Sequence, residues 1–427
     1  MLESIKALWV SHQIANQAQF PKQTELLVGD WVKSNKDQWW DRDLPAKQEF
    51  WKYVKFDALK SKEYDVVPPA AINNRVTQPN NETVDIEIND LSQASNWLID
   101  SDYVVSLPQL LADSGELQKW SKFIGSDWQQ NYFSAINRSF LFSGLAIWVP
   151  KDKKVTFNIA INCQNGGDAF LPFQLWLNVE MGSKVNILET VKSESENAFV
   201  LYDRMMNLSE SSTVSFVQAE SGSGSSHIVQ NLDAQVARGA SLNNFAITLP
   251  SFWSRHNLDI KLNESTANAN IFGLYLNDGN NFSDHHTSIS HNKPDTHSRQ
   301  YYKGILAGKC RSVFNGKVYI AEGASKSNSE QLNKNLLLSD KAEIDTKPEL
   351  QIYNDDVKAA HGATIGQLDP EELFYLMSRG MSYENSWNLL CNAFAVDLFE
   401  EFPDMDLEFF KKQVGGALEQ MRIANGL

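Results

Sequence analysis

A mainly β chain, built on a β-helix core between two helical regions, is the architecture this sequence predicts. Three observations carry it. From about residue 126 to 366 the chain runs in short alternating segments rich in Val, Ile, Phe and Asn, separated by Gly, Ser and Asn clusters, which is the pattern of half-buried strands. Several of these segments open on a similar phrase: GSKVNI at Gly182, SSTVSF at Ser211, GASLNN at Gly239, ESTANA at Glu264 and SDKAEI at Ser339, at steps of 29, 28, 25 and 75 residues. Read as one, one, one and three repeats, these steps suit a solenoid in which each coil supplies a turn and a strand and buries its apolar face against the next coil. After about residue 367 the punctuation becomes helical. On periodicity alone, an antiparallel sandwich with similar turns remains open.

Residues 1–125 read as a mostly helical domain. Ile5, Leu8 and Trp9 share one helical face, as do Leu26, Leu27, Trp31 and Val32. Asp43-Leu44-Pro45 precedes AKQEFWKYVKF and suits a proline-started helix carrying Phe50, Trp51 and Tyr53. The Asn-rich stretch from Asn73 to Glu82, broken by Pro79, is expected to be a loop.

Residues 126–366 are assigned to the β-helix core and 367–427 to a C-terminal helical domain. Asp369-Pro370-Glu371-Glu372 is a helix start, with Asp as cap, Pro in the first turn and acids suited to the helix dipole. Leu373, Leu376 and Met377 follow on one face until Gly380 supplies a stop. A second start at Ser382 leads to Trp387, Leu390, Cys391, Phe394 and Leu398. Beyond Pro403, Leu407, Phe410, Val414 and Met421 predict a third helix.

Composition bounds the function. The chain has 427 residues, 42% hydrophobic, enough for a substantial core, and 38 basic against 53 acidic residues give a net charge of −15. No concentrated basic face is available for phosphates, so no nucleic-acid partner is expected. No uninterrupted apolar run is long enough to span a membrane. The opening MLESIKALWVSHQIANQAQF lacks the basic and apolar regions of a secretory signal, so a cytoplasmic location is expected. Cys163, Cys310 and Cys391 are far apart in sequence and form no closely spaced ligand set, as suits free thiols in a reducing compartment.

The near-matches to catalytic motifs fail on their chemistry. Lys303 to Cys310 resembles a phosphate loop but has three residues between its glycines, and Cys where Mg²⁺ needs a hydroxyl. The run Ser221 to Ser226 has no following lysine and reads as a loop between strands. His285, His286, His291 and His297 offer metal-ligand chemistry, but on a strand the first two point to opposite faces and the others lie across turns. Trp39 and Trp40 read as core or interface anchors. No GxSxG or HExxH occurs.

One ordered run, residues 315–381, carries NGKVYIAEGASKSNSEQLNKNLLLSDKAEIDTKPELQIYNDDVKAAHGATIGQLDPEELFYLMSRGM. With GLYL at Gly273, SRQYYKG at Ser298 and FSAINRSFLFSGLAIWVPKD at Phe133, it resembles the shared core of the SufB and SufD family of iron–sulfur cluster assembly proteins. LPAKQEFWKY at Leu44 looks like the short N-terminal motif on the SufD side of that family. The resemblance is thin over residues 54–130.

The resemblance implies a right-handed parallel β-helix and a non-enzymatic scaffold role in a SufB–SufC–SufD complex. A SufB-type subunit would pair through the β-helix end. A SufC-type ABC ATPase would dock on the C-terminal helices, and its ATP-driven closure would rearrange the interface where a nascent cluster is held. No cofactor bound stably by this chain alone is expected.

The histidine of the HGAT motif, His361, is implied to lie at the SufB interface, where neutral imidazole suits an iron ligand or proton handler. A purely structural, hydrogen-bonded role for it stays open. Many relatives carry Cys two residues before this histidine. Here the residue is Ala359, so any thiolate would come from the partner. Leu373, Phe374, Tyr375, Arg379 and Gly380 are the candidate ATPase contacts, Phe374 and Arg379 above all, while Leu373 and Leu376 suit packing within the domain.

Two alternatives stand beside this reading. A β-helix carbohydrate-active enzyme would usually bring a secretory signal or a charged groove. A SufB-like self-pairing homologue would form a stable homodimer through its β-helix ends, one that SufB does not displace.

Overall fold

The computed structural model describes Ile5 and residues 74–426, apart from 90, 92–96, 127, 129–130, 141–142 and 164–167. The patterns read at Leu8 to Tyr53, including the pair Trp39 and Trp40 and the LPAKQEFWKY motif, lie outside the described residues.

A two-sheet parallel β-solenoid dominates the chain. Strands β6 (Lys154–Cys163), β8 (Lys184–Ser193), β10 (Thr213–Gly222), β12 (Ser241–Thr248), β14 (Asn268–Asn277), β16 (His297–Leu306), β18 (Asn328–Leu337) and β20 (Lys358–Gly366) stack in that order into one sheet. Strands β5 (Gly144–Val149), β7 (Phe170–Val179), β9 (Phe199–Leu208), β11 (His227–Val236), β13 (Trp253–Leu262), β15 (Phe282–His291), β17 (Arg311–Ile320) and β19 (Glu343–Ile352) form the other. Successive coils pair in parallel, as Lys184 with Thr213, Thr213 with Ser241 and Ser241 with Asn268.

The corner turns explain why the repeat is visible. Asp152, Gly182, Ser211, Gly239, Thr266, Asp295 and Lys326 all adopt positive φ, each two residues before an even-numbered strand. For a residue with a side chain this conformation is costly. Contacts between coils offset it: the amide of Gly182 donates to the Glu210 carbonyl at 3.1 Å, and that of Ser211 to Arg238 at 2.9 Å.

This geometry corrects two of the phrase assignments. The turn residue of the fourth phrase is Thr266, so that phrase belongs two residues later than Glu264 places it. SDKAEI at Ser339 precedes β19 and belongs to the opposite sheet, so the step of 75 is not three coils. Both sheets begin their strands after compact turns, and composition alone does not separate them.

The stretch expected as a loop from Asn73 to Glu82 is also different. Residues Asn74–Asn80 form β1, which pairs antiparallel with β2 (Thr83–Ile88). Asn74 and Val76 alternate inward, and Asn74 Oδ1 accepts the Asn89 amide at 3.0 Å. β2 adds to β6, while β3 (Trp97–Asp100) and β4 (Val104–Ser106) extend the two sheets at the same end. Short helices α1 (Leu107–Ala112), α2 (Ser114–Lys119), α3 (Ser121–Ile124) and α4 (Tyr132–Arg138) follow. Trp120 and Phe123 pack with Trp176 over the outer face of the odd-numbered sheet.

Inside the solenoid, alternation delivers Val185, Ile187, Val200, Phe216, Leu242 and Ile260 to one apolar core. Burying each such side chain contributes about 1.5–3 kcal/mol. Two inward positions are glycine because a neighbouring ring takes the space: Tyr302 lies against Gly273, and Tyr275 against Gly304. A Cβ at Gly273 would sit 2.1 Å from the Tyr302 ring. Gly273→Ala is therefore expected to destabilise the fold by about 1–3 kcal/mol, read as a lower denaturant midpoint.

The C-terminal unit consists of α5 (Pro370–Ser378), α6 (Tyr383–Val396), a 3₁₀ turn (Asp397–Glu401) and α7 (Glu408–Asn425). Asp369 caps α5 by accepting the Glu371 amide at 2.8 Å, and Ser382 caps α6 by accepting that of Asn385 at 3.2 Å. Trp387, Cys391, Leu398, Phe399 and Phe402 pack onto Phe245, Phe272 and Ile305 on the outer face of the even-numbered sheet. Lys303, within the near-match to a phosphate loop, is a strand residue that ties the two parts together. Its ammonium donates to the Phe394 carbonyl and to Asp397 Oδ2, both at 2.6 Å.

Candidate functional site

The solenoid ends unequally. At its first coil, β1 to β4 continue both sheets; at its last, β19 and β20 are the edge strands, each paired on one side only among the described residues. Every residue of β19 and β20 is at least partly exposed. Ile352, Tyr353 and Ile365 are large apolar side chains left in solvent there. A free strand edge offers unpaired N–H and C=O groups and is a template for pairing with another chain. On β19, Pro348 withholds one donor, while the Arg311–Asp345 ion pair at 2.6 Å and the Lys347–Glu349 pair at 3.3 Å put charge along the strand.

His361 lies on β20 in register with Gln331, which is in register with Gln300. It is exposed, at the open end of the inward-facing column. Ala359, in register with Ser329, is half-buried. No group of three or more His, Cys, Asp or Glu among the described residues could hold a metal ion. Among the described residues, His361 therefore offers one nitrogen ligand with no second ligand grouped beside it.

Only three residues separate β20 from α5. Helix α5 has no buried residue. Leu373 is half-buried and packs against the core of the C-terminal unit, and Leu376 is half-buried as well. Phe374 is 73% exposed and Tyr375 56%, with Met377 beside them. The Arg379 guanidinium lies 5.2 Å from the centre of the Tyr375 ring. Gly380 ends the helix at φ 92°, a conformation natural to glycine. The five residues Leu373, Phe374, Tyr375, Arg379 and Gly380 thus share one short, solvent-facing element.

The other candidate histidines are dispersed. His285 faces inward, stacked between His256 at 5.1 Å and Tyr275 at 4.7 Å, while His286 faces outward and contacts Asp284 at 2.9 Å. His291 hydrogen bonds Thr296 and Ser298, each at 2.8 Å, and His297 is exposed. Cys163, Cys310 and Cys391 are free and buried, and burial pushes the Cys310 and Cys391 thiols up to about 12.

Burial, with His297 nearby, lowers His291 to about 4. Its neutral form therefore stabilises the fold fully above the unfolded value near 6.5, and this contribution disappears as pH falls to about 4. Its size is about 3 kcal/mol. His291→Gln should flatten the stability profile between these pH values, as measured by urea unfolding across the range.

Sequence reading did not find the exposed apolar residues Ile352, Tyr353 and Ile365, whose exposure follows from lying on the last coil. It also missed the line of charged and polar groups inside the solenoid. Its trace is the sequence of polar residues at inward parity, Glu189, Glu220, His256, His285 and Gln331, recognisable once strand register is known.

Comparison with known proteins fits this geometry. Residues 162–394, from the end of β6 through most of α6, match the family described as SUF system FeS cluster assembly, SufBD core domain. The chain belongs to the SufBD family. It is 32% identical over 289 residues to the iron-sulfur cluster assembly SufBD family protein slr0076 of Synechocystis, covering 65% of this chain and 64% of that one. It is 39% identical over 189 residues to the iron-sulfur cluster assembly protein SufD of Escherichia coli, 44% of each chain, and 41% identical over 117 residues to SufD of Bacillus subtilis, 27% and 26%. Each match spans less than two thirds of the relative's length. As a SufBD member of the SufD type, the chain meets the sequence expectation, and the mainly β solenoid with helical ends is the fold expected. Among the described residues, no helix is long and apolar enough to cross a membrane.

Proposed function

We propose that this SufBD protein is a non-catalytic scaffold subunit of a SufB–SufC–SufD-type complex that assembles iron–sulfur clusters in the cytoplasm. The observation that carries the reading is the continuity of two surfaces that are exposed among the described residues. An open solenoid end bearing a single exposed histidine leads, after three residues, into a helix with no buried residue. A SufB-type subunit would pair with the edges of β19 and β20, burying Ile352, Tyr353 and Ile365. His361 would then present an imidazole nitrogen to a nascent cluster, a cargo whose thiolate ligands would come from the partner because position 359 is alanine. A SufC-type ATPase would take Phe374, Tyr375 and Arg379 into its surface, aromatic and Arg anchors being typical of interface centres. Lys303 and Asp397 would carry motion of the docked helices to the solenoid.

Co-expression with SufB-type and SufC-type partners tests the reading. The wild-type chain is expected to purify as a complex containing iron and sulfide. His361→Ala should give a complex of the same mass with its iron and sulfide reduced several-fold. A wild-type chain that stays a monomer with both partners present contradicts the reading. A homodimer that the SufB-type partner does not displace would instead support the self-pairing alternative.

A further inference from the structure

The solenoid interior changes character along its length. Around β6 and β7 it is filled by Val, Ile, Leu and Phe, whereas from β8 onward charged and amide side chains occupy inward positions. Glu189 receives Arg204, and Arg204 also reaches Gln230, which donates in turn to Glu220. Glu220 Oε2 lies 2.9 Å from His256 Nε2, and the His256 ring stacks on His285. Nearer the open end, Thr287 donates to Gln300 at 2.6 Å, and Gln331 donates to the same Gln300 oxygen at 3.2 Å.

Several atoms along this line lack a protein partner. They are Glu220 Oε1, His256 Nδ1, both ring nitrogens of His285, Gln300 Nε2 and Gln331 Oε1. Each belongs to a residue no more than 2% exposed. Buried polar atoms are almost always satisfied, and leaving this many unpaired would cost a large part of a domain's net stability. Turning the Gln331 amide over does not remove the deficit, because the Gln300 oxygen it serves would then face another oxygen. The strands supply no further donors, since their amides are committed to the ladders between coils.

We infer that the interior between Glu220 and Gln331 binds a file of water molecules, which satisfies these atoms and reaches solvent at the open coil beneath His361. Internal water takes its place where several polar atoms converge without protein partners, and this line provides donors and acceptors on both sheets. At the exit, the inward positions over Ser329 and Asn333 are the small residues Ala359 and Ala363, with His361 between them over Gln331. Such a file joins the buried Glu220–His256 pair to the end of the molecule that carries His361. The inference concerns the isolated chain and does not depend on any partner.

Magnetic relaxation dispersion of oxygen-17 water on the full chain counts long-lived internal waters, and a crystal structure that resolves solvent locates them. The expected result is solvent density bonded to Glu220 Oε1 and His285, together with a dispersion amplitude that falls in His285→Phe, which keeps the ring stack but removes both nitrogens. Should that variant not fold, Gln331→Met serves the same purpose at the outer end. Equal amplitudes in wild type and a folded variant, or a crystal structure in which these atoms pair directly with protein groups and no solvent lies between the sheets, would overturn the inference.

Discussion

Glu189→Leu is expected to destabilise the solenoid by about 3–5 kcal/mol, the cost of leaving a buried charge without its counter-ion. Arg204 is 1% exposed and directs its guanidinium at the Glu189 carboxylate, with Nε 3.1 Å from Oε1. Tyr202 donates to the other carboxylate oxygen at 2.6 Å, and the guanidinium lies 3.8 Å from the centre of the Tyr202 ring. Removing the carboxylate leaves the guanidinium with only the Gln230 oxygen and without the Glu189 charge, and leaves the phenol without its acceptor. The double variant Glu189→Leu with Arg204→Met should recover most of the loss, because an apolar pair of similar volume avoids the desolvation penalty of both ions. Urea unfolding of wild type, single and double variants measures this. A single variant within about 1 kcal/mol of wild type would mean that the interior admits enough water to solvate Arg204.

Contacts of this kind are only partly legible in the sequence. Its repeat was legible because each corner needs a residue with positive φ at a fixed distance before a strand, and Gly182, Ser211 and Gly239 are small or turn-favouring residues at that place. Thr266 and Lys326 occupy the same conformation without any compositional mark, Lys326 being held by its amide bond to the Asp356 carbonyl at 2.6 Å, and so the fourth phrase lies two residues later than composition suggests. The helical tail was legible for a similar reason. Asp369, Ser382 and Gly380 act through their own backbone neighbours, so the caps at both ends of α5 and at the start of α6 are local facts.

The interior ion pair is not local. Glu189 and Arg204 lie 15 residues apart on opposite sheets, and only the register of β8 and β9 within their coils brings them together. Alternation of polar with apolar residues would assign a glutamate to the outside of a strand, yet Glu189 lies inside because its partner does. The candidate site is intermediate between these cases. His361 and Phe374 stand in motifs that mark them individually, but that β20 is the last coil follows only from counting coils in the assembled sheet.

Phe374→Ala is expected to weaken binding of a SufC-type ATPase by about 2 kcal/mol or more, roughly thirty-fold in Kd, while leaving the denaturant midpoint of the free chain unchanged. The two halves of this prediction have one cause. At 73% exposure the Phe374 ring has little packing to lose in the free protein, so any large effect of its removal must come from a surface that covers it. Leu373→Ala is the internal control: its side chain packs against the core of the C-terminal unit, so this variant should lower stability and affinity together. Arg379→Ala removes the cation beside Tyr375 and should cost less affinity than Phe374→Ala, since the ring it braces can still enter the partner. Titration calorimetry of the three variants against the ATPase, with urea unfolding of each free chain, separates these outcomes. If Phe374→Ala binds as wild type does while Leu373→Ala loses affinity, the ATPase recognises the unit through its shape, and the exposed face of α5 serves another partner.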